Sequence, residues 1–219
     1  MKIIDLSMTI KNHWRWNVTQ TFRHHFDRGD DFRTSILQIP AHAFTHVDTS
    51  LHCQAGGPTL DQLDVFSYSG PATVIDLTFI QPNQEITAEH IRDNAGHVAE
   101  GDVILLKTCW DTHYEPDSKE YWTEAPYISD KASIWLNSIK PRVIGFDFPQ
   151  DYAIKSITRS SFTLEESTAH KHLLCNGVLF VEYLCNMSQI SQEKVKFIAL
   201  PLKLEGFEGG PVRAIAIED

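Results

Sequence analysis

The segment from His42 to His52 constrains the fold of this chain more than any other part of the sequence. His42, His46, Asp48 and His52 follow the pattern H-x3-H-x-D-x3-H. Imidazole and carboxylate groups are the ligands of zinc and of other borderline divalent metals such as manganese or iron. On a straight strand His42 and His46 would lie about 13 Å apart, which is too far for one ion. One helical turn would put both on the same face, with Asp48 following after a bend.

His52 comes too late in the sequence to share that helical turn. We therefore expect the chain to fold back, so that His52 reaches either the metal or the reaction space beside it. The alternative is a histidine-rich surface loop, in which each histidine has its own separate partner. The ordered set of four side chains favours a metal site over that alternative.

Length, composition and charge indicate one acidic domain without a nucleic-acid surface. The chain has 219 residues, 42% of them hydrophobic, which suits a single domain spanning 1–219 with a substantial core. Its formal charge of −10, without runs of Lys or Arg, argues against a nucleic-acid partner. No segment approaches the roughly 20 apolar residues that cross a bilayer, and MKIIDLSMTI is too short and polar for a secretory signal. We expect a cytoplasmic protein.

The four cysteines do not form a recognisable framework. Their positions lack both the C-x2-C spacing of a zinc ribbon and the density of a disulfide-stapled secreted domain. We expect them to remain reduced. Cys53 directly follows His52 and could form part of a site wall. The residues are Cys53, Cys109, Cys175 and Cys185.

Eight short runs rich in Val, Ile and Phe, most of them bounded by Gly, Pro or Asp, predict strands. These runs are Lys2–Leu6, Thr34–Ile39, Ala72–Leu77, Asp102–Thr108, Arg142–Phe146, Gly177–Tyr183, Lys196–Leu200 and Val212–Ile217. Three helices are predicted at Ala88–Asn94, Asp130–Ile139 and Leu164–Leu174, the first two with caps at Thr87 and Ser129. Strands with so few helices indicate an α/β domain with a mixed, partly closed sheet. The aperiodic segment Lys11–Phe32 predicts a long ordered loop or arm.

Further site residues can be sought downstream in TAHKHLLCNGVLFVEYL. His170 and His172 lie near the end of the third predicted helix, and Glu182 lies in the following strand. Alternation places Glu182 on the same face as Val178 and Phe180. Burying a carboxylate on this apolar face costs free energy unless a cation compensates its charge. The alternative is that this end of the strand is exposed to solvent. Both interpretations remain open on this segment alone.

Three other features give weaker indications of function. Asp147 ends a predicted strand, where sites often lie in α/β proteins, but a role in capping a turn is the favoured interpretation. Trp14 and Trp16 could wall a pocket for a flat substrate or could be ordinary packing. The GFEGGP stretch lacks the pattern of a phosphate-binding loop and predicts a tight turn.

With these residues assembled, the chain resembles the metal-dependent cyclase and hydrolase family that includes bacterial kynurenine formamidases, isatin hydrolases and trans-dienelactone hydrolases. The signature of that family is H-x-G-T-H-x-D-x-P-x-H, and the matching residues are His42, Thr45, His46, Asp48 and His52. The segments IIDLSMTI, GPATVIDLT, ITAEHI, EGDVILLKTCW, GFDFP and ALPLKLEGFEGGPVRAIAI also look like family segments, and they occur in family order. The resemblance therefore spans nearly the whole chain.

The resemblance implies a role for each matching residue. One or two divalent ions, with zinc as the first choice and manganese as the alternative, would be held by His42, His46, Asp48, His170 and Glu182. Asp48 would bridge the ions, and His52 would be the catalytic acid and base. His170 and Glu182 have the required twelve-residue spacing, whereas His172 does not. An N-terminal tryptophan, Trp14 or Trp16, would contact the substrate. The implied fold is a compact mixed α/β domain with a barrel-like sheet, usually a homodimer.

The sequence departs from the signature at two positions. Phe44 replaces its glycine and Ser50 replaces its proline. Neither position supplies a ligand, so metal binding should persist, but Phe44 would change the room beside the metal and could contact substrate. Ser50 would alter the turn that delivers His52. The departures weaken the case for a formamidase more than the case for a hydrolase.

These observations predict a metal-dependent hydrolase that cleaves an amide or an ester or lactone bond. The substrate would be a small cyclic or acylated compound, attacked by a metal-activated water. A metal-dependent cyclase or dehydratase is one alternative. The other is a non-catalytic binding protein that retains the metal, which a Phe44 that narrows the pocket would favour.

Overall fold

The secondary structure consists of many short strands and four short α-helices in the residues that the computed structural model describes, 1–159 and 161–218. The strands are β1 (Lys2–Asp5), β2 (Thr19–His24), β3 (Thr34–Gln38), β4 (His46–Asp48), β5 (Ser69–Asp76), β6 (Glu85–Ile86), β7 (Val103–Lys107), β8 (Tyr127–Ile128), β9 (Val143–Phe146), β10 (Leu179–Glu182), β11 (Lys194–Pro201) and β12 (Gly209–Glu218). The helices are α1 (Ala88–Asn94), α2 (Glu120–Thr123), α3 (Asp130–Ile139) and α4 (Thr168–His172).

Seven of these strands close into a mixed β-barrel. They follow the order β12, β11, β5, β7, β9, β10 and β4, and β4 pairs back onto β12. The run β5, β7, β9 and β10 is parallel, and the helices α1 to α4 lie in the crossovers that parallel strands require. β1 adds to the outside of β12. The prediction of a single α/β domain with a barrel-like mixed sheet is confirmed.

Buried side chains alternate between two faces of the barrel wall. One cluster draws residues from every barrel strand, for example Val47, Leu105 and Val181, and fills the interior. The other takes the alternate positions, for example Ile104 and Phe180, and packs against the helices outside. Because neighbouring residues of a strand point to opposite faces, the residues that flank Val47 and Val181 point out of the barrel.

The local predictions are confirmed where caps or strand signals are strong. All eight predicted strands are present, and α1 and α3 have the predicted bounds, since Thr87 accepts from the His90 amide and Ser129 from the Ala132 amide. The predicted third helix is wrong in its length. Only Thr168–His172 is α-helical, between two 3₁₀ turns, because the buried Asp151 carboxylate accepts the Ala169 and His170 amides and fixes the start of the helix.

The predicted loop or arm at Lys11–Phe32 contains a strand that the sequence pattern did not indicate. β2 pairs with β3 as an antiparallel hairpin that is separate from the barrel. Its side chains are exposed on both faces, so they show no alternation of polar and apolar residues. An isolated two-stranded hairpin is marginally stable in water, so this one needs a surface to pack on.

No helix in the described residues is both long enough and apolar enough to span a bilayer.

Candidate metal centre

Two adjacent barrel strands supply the buried carboxylates and one histidine of the predicted site. His46 and Asp48 are two residues apart on β4, so both point out of the barrel, and Glu182 of β10 lies opposite His46 in the antiparallel register. His46 Nε2 is 3.3 Å from Asp48 Oδ1 and 3.6 Å from Glu182 Oε2. All three side chains are buried. Glu182 is therefore not the wet strand end that was the alternative interpretation.

His42 reaches the site through a bend rather than through the expected helical turn. That expectation is wrong because His46 already belongs to β4, and the chain reverses at Phe44, whose φ is 57°. This left-handed conformation is the one that glycine adopts without strain, and glycine occupies this position in the family signature. The bend puts His42 Nδ1 2.7 Å from Asp48 Oδ1.

Backbone and carboxylate partners orient two of the histidines. His46 Nδ1 lies 2.8 Å from the Phe44 carbonyl, and His170 Nδ1 lies 2.5 Å from Asp151 Oδ2. Because both acceptors take a proton from Nδ1, they leave each Nε2 available as a metal ligand. His170 Nε2 faces Glu182 Oε1 at 3.5 Å.

The imidazole and carboxylate atoms at the centre form close ion pairs with one another but make no hydrogen bond among the described residues. These buried atoms are His42 Nδ1, His46 Nε2 and both carboxylate oxygens of Asp48. Each buried unpaired polar group costs about 1–3 kcal/mol, and more when it is charged. Two groups of mutually close ligand atoms occur, His42 with Asp48 and His52, and His46 with Asp48 and Glu182, so Asp48 belongs to both. This donor set fits a divalent cation.

The electrostatics of the centre also favour a bound cation. Burial lowers the pKa of His42 and of His170, but Asp48 and Asp151 respectively outweigh it and raise each pKa to about 9. Burial, and next the charge of Asp48, raise the pKa of Glu182. A divalent ion would relieve the repulsion between the carboxylates and displace the proton from each imidazole nitrogen that it binds.

His52 folds back over the centre, as the sequence predicts. It ends the 3₁₀ turn Ser50–His52, with Ser50 at the position of the family proline. Its ring centroid is 4.0 Å from that of His42 and 5.5 Å from that of His170. His46, Asp48 and Glu182 are buried and the other ligand candidates are half-buried, whereas His52 is exposed at the wall, where it can exchange protons with solvent.

One cavity of about 530 Å³ brings together all six predicted metal and acid–base residues. These residues are His42, His46, Asp48, His52, His170 and Glu182. Arg15, Trp16, Tyr183 and Phe162 line the same cavity. His172 is elsewhere, with its Nε2 2.8 Å from Asp130 Oδ1.

The three predicted substrate-binding residues occupy different places. Trp16 lines the cavity, whereas Trp14 is 42% exposed and donates its indole N–H to the Asp117 carbonyl outside it. Phe44 does not stand beside the ligands as expected. Its buried ring packs on Trp16, 4.6 Å between centroids, and borders a neighbouring cavity of about 350 Å³. The left-handed backbone turns the Phe44 side chain away from the metal centre and leaves only its carbonyl there.

Several supporting residues were not found from the sequence. Asp151 binds His170, Gln150 donates to Glu182 Oε1 at 2.5 Å, and Glu208 Oε1 is 3.0 Å from His42 Nε2. Gln150 and Asp151 follow the carboxyl end of β9, and such positions in parallel sheets gather at sites, so this signal could have found them.

The positions of Gly209 and Asp147 explain what each of them does. Gly209 must be small, because a Cβ there would lie 2.8 Å from His42 Cε1 and 2.9 Å from Asp48 Oδ1. Asp147 is a capping residue rather than a site residue, since its carboxylate accepts the amides of Thr108 and Cys109.

The cysteines differ from the prediction. Cys53 and Cys175 form a disulfide across a separation of 122 residues, with a Cα–Cα distance of 5.7 Å, so the expectation of reduced cysteines is wrong for this pair. The bond joins the turn that ends at His52 to the turn that follows α4. Cys53 also lines the cavity, which agrees with its predicted place at the site wall.

Comparison with known proteins places this chain in a family. The family described as "Putative cyclase" matches residues 4–150. A kynurenine formamidase of Salinibacter ruber is 28% identical over 98% of this chain and 97% of its own length, and one of Bacillus cereus is 24% identical over 97% and 95%.

Solved structures show the same fold. Isatin hydrolase A from Labrenzia aggregata superimposes with a TM-score of 0.77 at 21% identity, over 98% of this chain and 93% of that one. A protein from Bacillus stearothermophilus described as a "predicted metal-dependent hydrolase" gives 0.76 at 25% identity, over 98% and 97%. The likeness to trans-dienelactone hydrolases stays a prediction. The chain belongs to the cyclase family.

Proposed function

We propose that this protein is a metal-dependent hydrolase that cleaves the amide bond of a small acylated or cyclic substrate. The proposal rests on the buried imidazole and carboxylate atoms of His42, His46 and Asp48, which cluster without a hydrogen bond and line one cavity together with His52. The names of the relatives, kynurenine formamidase and isatin hydrolase, are those of hydrolases.

Five side chains would hold the metal. His42, His46 and Asp48 would bind one ion, and Asp48, His170 and Glu182 a second, with zinc as the first choice and manganese as the alternative. When bound, the metal polarises the substrate carbonyl and lowers the pKa of a water molecule toward neutrality.

Side chains of the protein would transfer the proton, orient the metal ligands and bind the substrate. His52 would take the proton of the attacking water and return it to the leaving nitrogen, a role that its exposed position beside His42 supports. The contacts from the Phe44 carbonyl and Asp151 keep His46 and His170 in the orientation that ligation needs. Trp16 offers a flat surface for an aromatic or cyclic substrate.

The alternatives receive less support. A non-catalytic binding protein would be favoured if Phe44 narrowed the pocket. The Phe44 ring instead packs against Trp16 and leaves the cavity open. A cyclase or dehydratase would give a different product from the same substrates, so product analysis separates it from a hydrolase.

The test combines metal content with turnover. Elemental analysis of the wild type should give two equivalents per chain, and of Glu182→Ala one. His52→Ala should retain its metal and lose about 10²- to 10⁴-fold of its turnover of aryl formamides or isatin-like cyclic amides. His172→Ala, which lies outside the cavity, is the matched control. A wild type without metal even after reconstitution, or a His52→Ala with full turnover, would contradict the proposal.

The oligomer and the location are separate parts of the proposal. The exposed hairpin of β2 and β3 carries Ile36 and Leu37 on its surface, and its need for a packing partner supports a homodimer. A cytoplasmic location remains a prediction of the sequence, and the bond between Cys53 and Cys175 does not favour it.

A further inference from the structure

Arg15 places a positive charge in the wall of the cavity that contains the candidate metal centre. The side chain is half-buried, and its Cζ lies 4.3 Å from the ring centroid of the buried Trp122. Stacking on a rigid indole fixes the plane of the guanidinium. Arg15 is the one Lys or Arg among the described residues that line this cavity.

The guanidinium of Arg15 has no acidic partner among the residues that the structure describes. Within residues 1–159 and 161–218, no carboxylate oxygen lies within 4.0 Å of it, and it donates no hydrogen bond; the Arg15 backbone amide alone donates, to His13 Nδ1 at 3.0 Å. In contrast, Arg159 and Arg213 each pair with a carboxylate at 2.6 Å. A half-buried guanidinium with five unused donors is matched in geometry to a carboxylate supplied by a ligand.

The cavity contains negative charges at the candidate metal centre and a positive charge at Arg15. Asp48 and Glu182 are the acidic side chains among its described lining residues, and both belong to the proposed metal ligands. Bound divalent ions would neutralise these two carboxylates, whereas no carboxylate in residues 1–159 and 161–218 pairs with Arg15. An anionic group on the substrate would pair with the guanidinium of Arg15 and neutralise its charge.

We propose that Arg15 is a specificity residue that binds a carboxylate of the substrate. The preferred substrates would then be aryl formamides or cyclic amides that carry a carboxylate away from the scissile bond, with the ring against Trp16. This inference rests on the proposed function, whose substrate class it narrows.

The experiment compares two substrates that differ only in charge, 3-formamidobenzoate and its methyl ester. The readout is the ratio of kcat/KM for the acid to that for the ester. In Arg15→Gln the ratio should fall by about tenfold to a hundredfold, mainly through the KM of the acid, as expected for a lost hydrogen bond between charged groups. Arg15→Lys should give an intermediate ratio, because an ammonium cannot form the bidentate pair.

The matched control is Arg92→Gln. Arg92 also stacks on a tryptophan, Trp135, at 5.4 Å, but it does not line the cavity, so its ratio should equal that of the wild type. An unchanged ratio in Arg15→Gln would overturn the inference and leave Arg15 a packing residue. If Arg15→Gln does not fold, Arg15→Lys decides in the same way.

Calorimetric affinities of both compounds for the metal-loaded protein separate this inference from the proposed function. If the wild type hydrolyses neither compound, the hydrolase proposal fails for this substrate class. The Arg15 inference still holds if the acid binds more tightly than the ester to the wild type and loses that advantage in Arg15→Gln. Equal affinities of acid and ester in the wild type would overturn it.

Discussion

Phe44 shows how a single residue can depart from a signature and still preserve the site. A left-handed conformation costs a residue with a side chain about 1–2 kcal/mol relative to glycine. Burial of the ring against Trp16 offsets this cost. The backbone geometry is kept, so the Phe44 carbonyl still accepts from His46 Nδ1. The substitution therefore changes the packing behind the site rather than the ligands.

Asp151 is expected to control metal affinity without contacting the ion. In Asp151→Asn the contact to His170 Nδ1 loses its charge and is weakened, and the affinity for the second ion should fall about 10- to 100-fold. Competition with a chromophoric chelator measures this change. Asp147→Asn is the matched control, because Asp147 is also a buried aspartate just after β9 but caps Thr108 and Cys109. Equal affinities in the two variants would contradict the role of Asp151.

Asp147 should make stability depend on pH. Burial raises its pKa to about 7, against the opposing hydrogen bonds from Thr108 and Cys109. The folded state holds the Asp147 proton more tightly than the unfolded chain does. The contribution of this group to the free energy of unfolding is therefore fully present below about pH 4 and is lost as the pH rises through about 7. Relative to the wild type, Asp147→Asn should therefore gain stability between pH 4 and 7. Urea unfolding at a series of pH values tests this, and parallel curves would refute it.

At the scale of elements, the pairing of β4 with β10 decides which side chains meet. His46 lies opposite Glu182, and a slip of one residue would bring Val47 into the site and bury His46 in the barrel. β4 has only three residues, but β10 and β12 pair with it on both sides, which fixes its register. The turn that follows β4 is joined to the turn that follows α4 by the disulfide between Cys53 and Cys175.

Reduction of the Cys53–Cys175 disulfide should destabilise the fold. The bond closes a long loop, and removing it should lower the free energy of unfolding by roughly 2–5 kcal/mol. Urea unfolding with and without a reductant, and of the Cys53→Ser/Cys175→Ser variant, measures the effect. Thiol titration after denaturation should find two thiols without reductant, those of Cys109 and Cys185, and four after reduction. Four thiols without reductant would contradict the bond.

At the scale of the whole molecule, the closed barrel hides its strand edges and leaves one apolar face uncovered. A groove of about 760 Å³ runs between the hairpin and the turn that joins β11 to β12. Its apolar lining includes Leu37, Leu202 and Phe207, all exposed. Exposed apolar surfaces of this kind mark interaction sites, and this face is where a second subunit would pack.

The proposed homodimer predicts a mass of twice 24.9 kDa in light scattering after gel filtration. Leu202→Asp introduces a charge on the apolar face and should shift the protein toward the monomer, because an unpaired charge in an interface is costly. Ile134→Asp changes an exposed residue of α3 and should leave the dimer intact. A monomeric wild type would contradict the proposed assembly.

The accuracy of the sequence-based predictions depended on how local the signals were. Thr87 and Ser129 cap helices whose bounds were predicted correctly, because a cap bonds to amides three residues away. The helix at Leu164–Leu174 was predicted too long, because Asp151 determines its start from another part of the chain. β2 was missed for a related reason, since its exposed faces show no alternation of polar and apolar residues.

The amino-acid sequence by itself determined the eight strands of the initial prediction, two capped helices and the family to which the chain belongs. These features rest on residues that are close in sequence or on a motif with fixed spacing. Only the tertiary structure decided that the candidate metal ligands line one cavity with Arg15 and that the Phe44 side chain turns away from the metal centre. It also decided that Cys53 forms a disulfide with Cys175. Such contacts arise from closure of the barrel and packing across it, which join residues far apart in the chain.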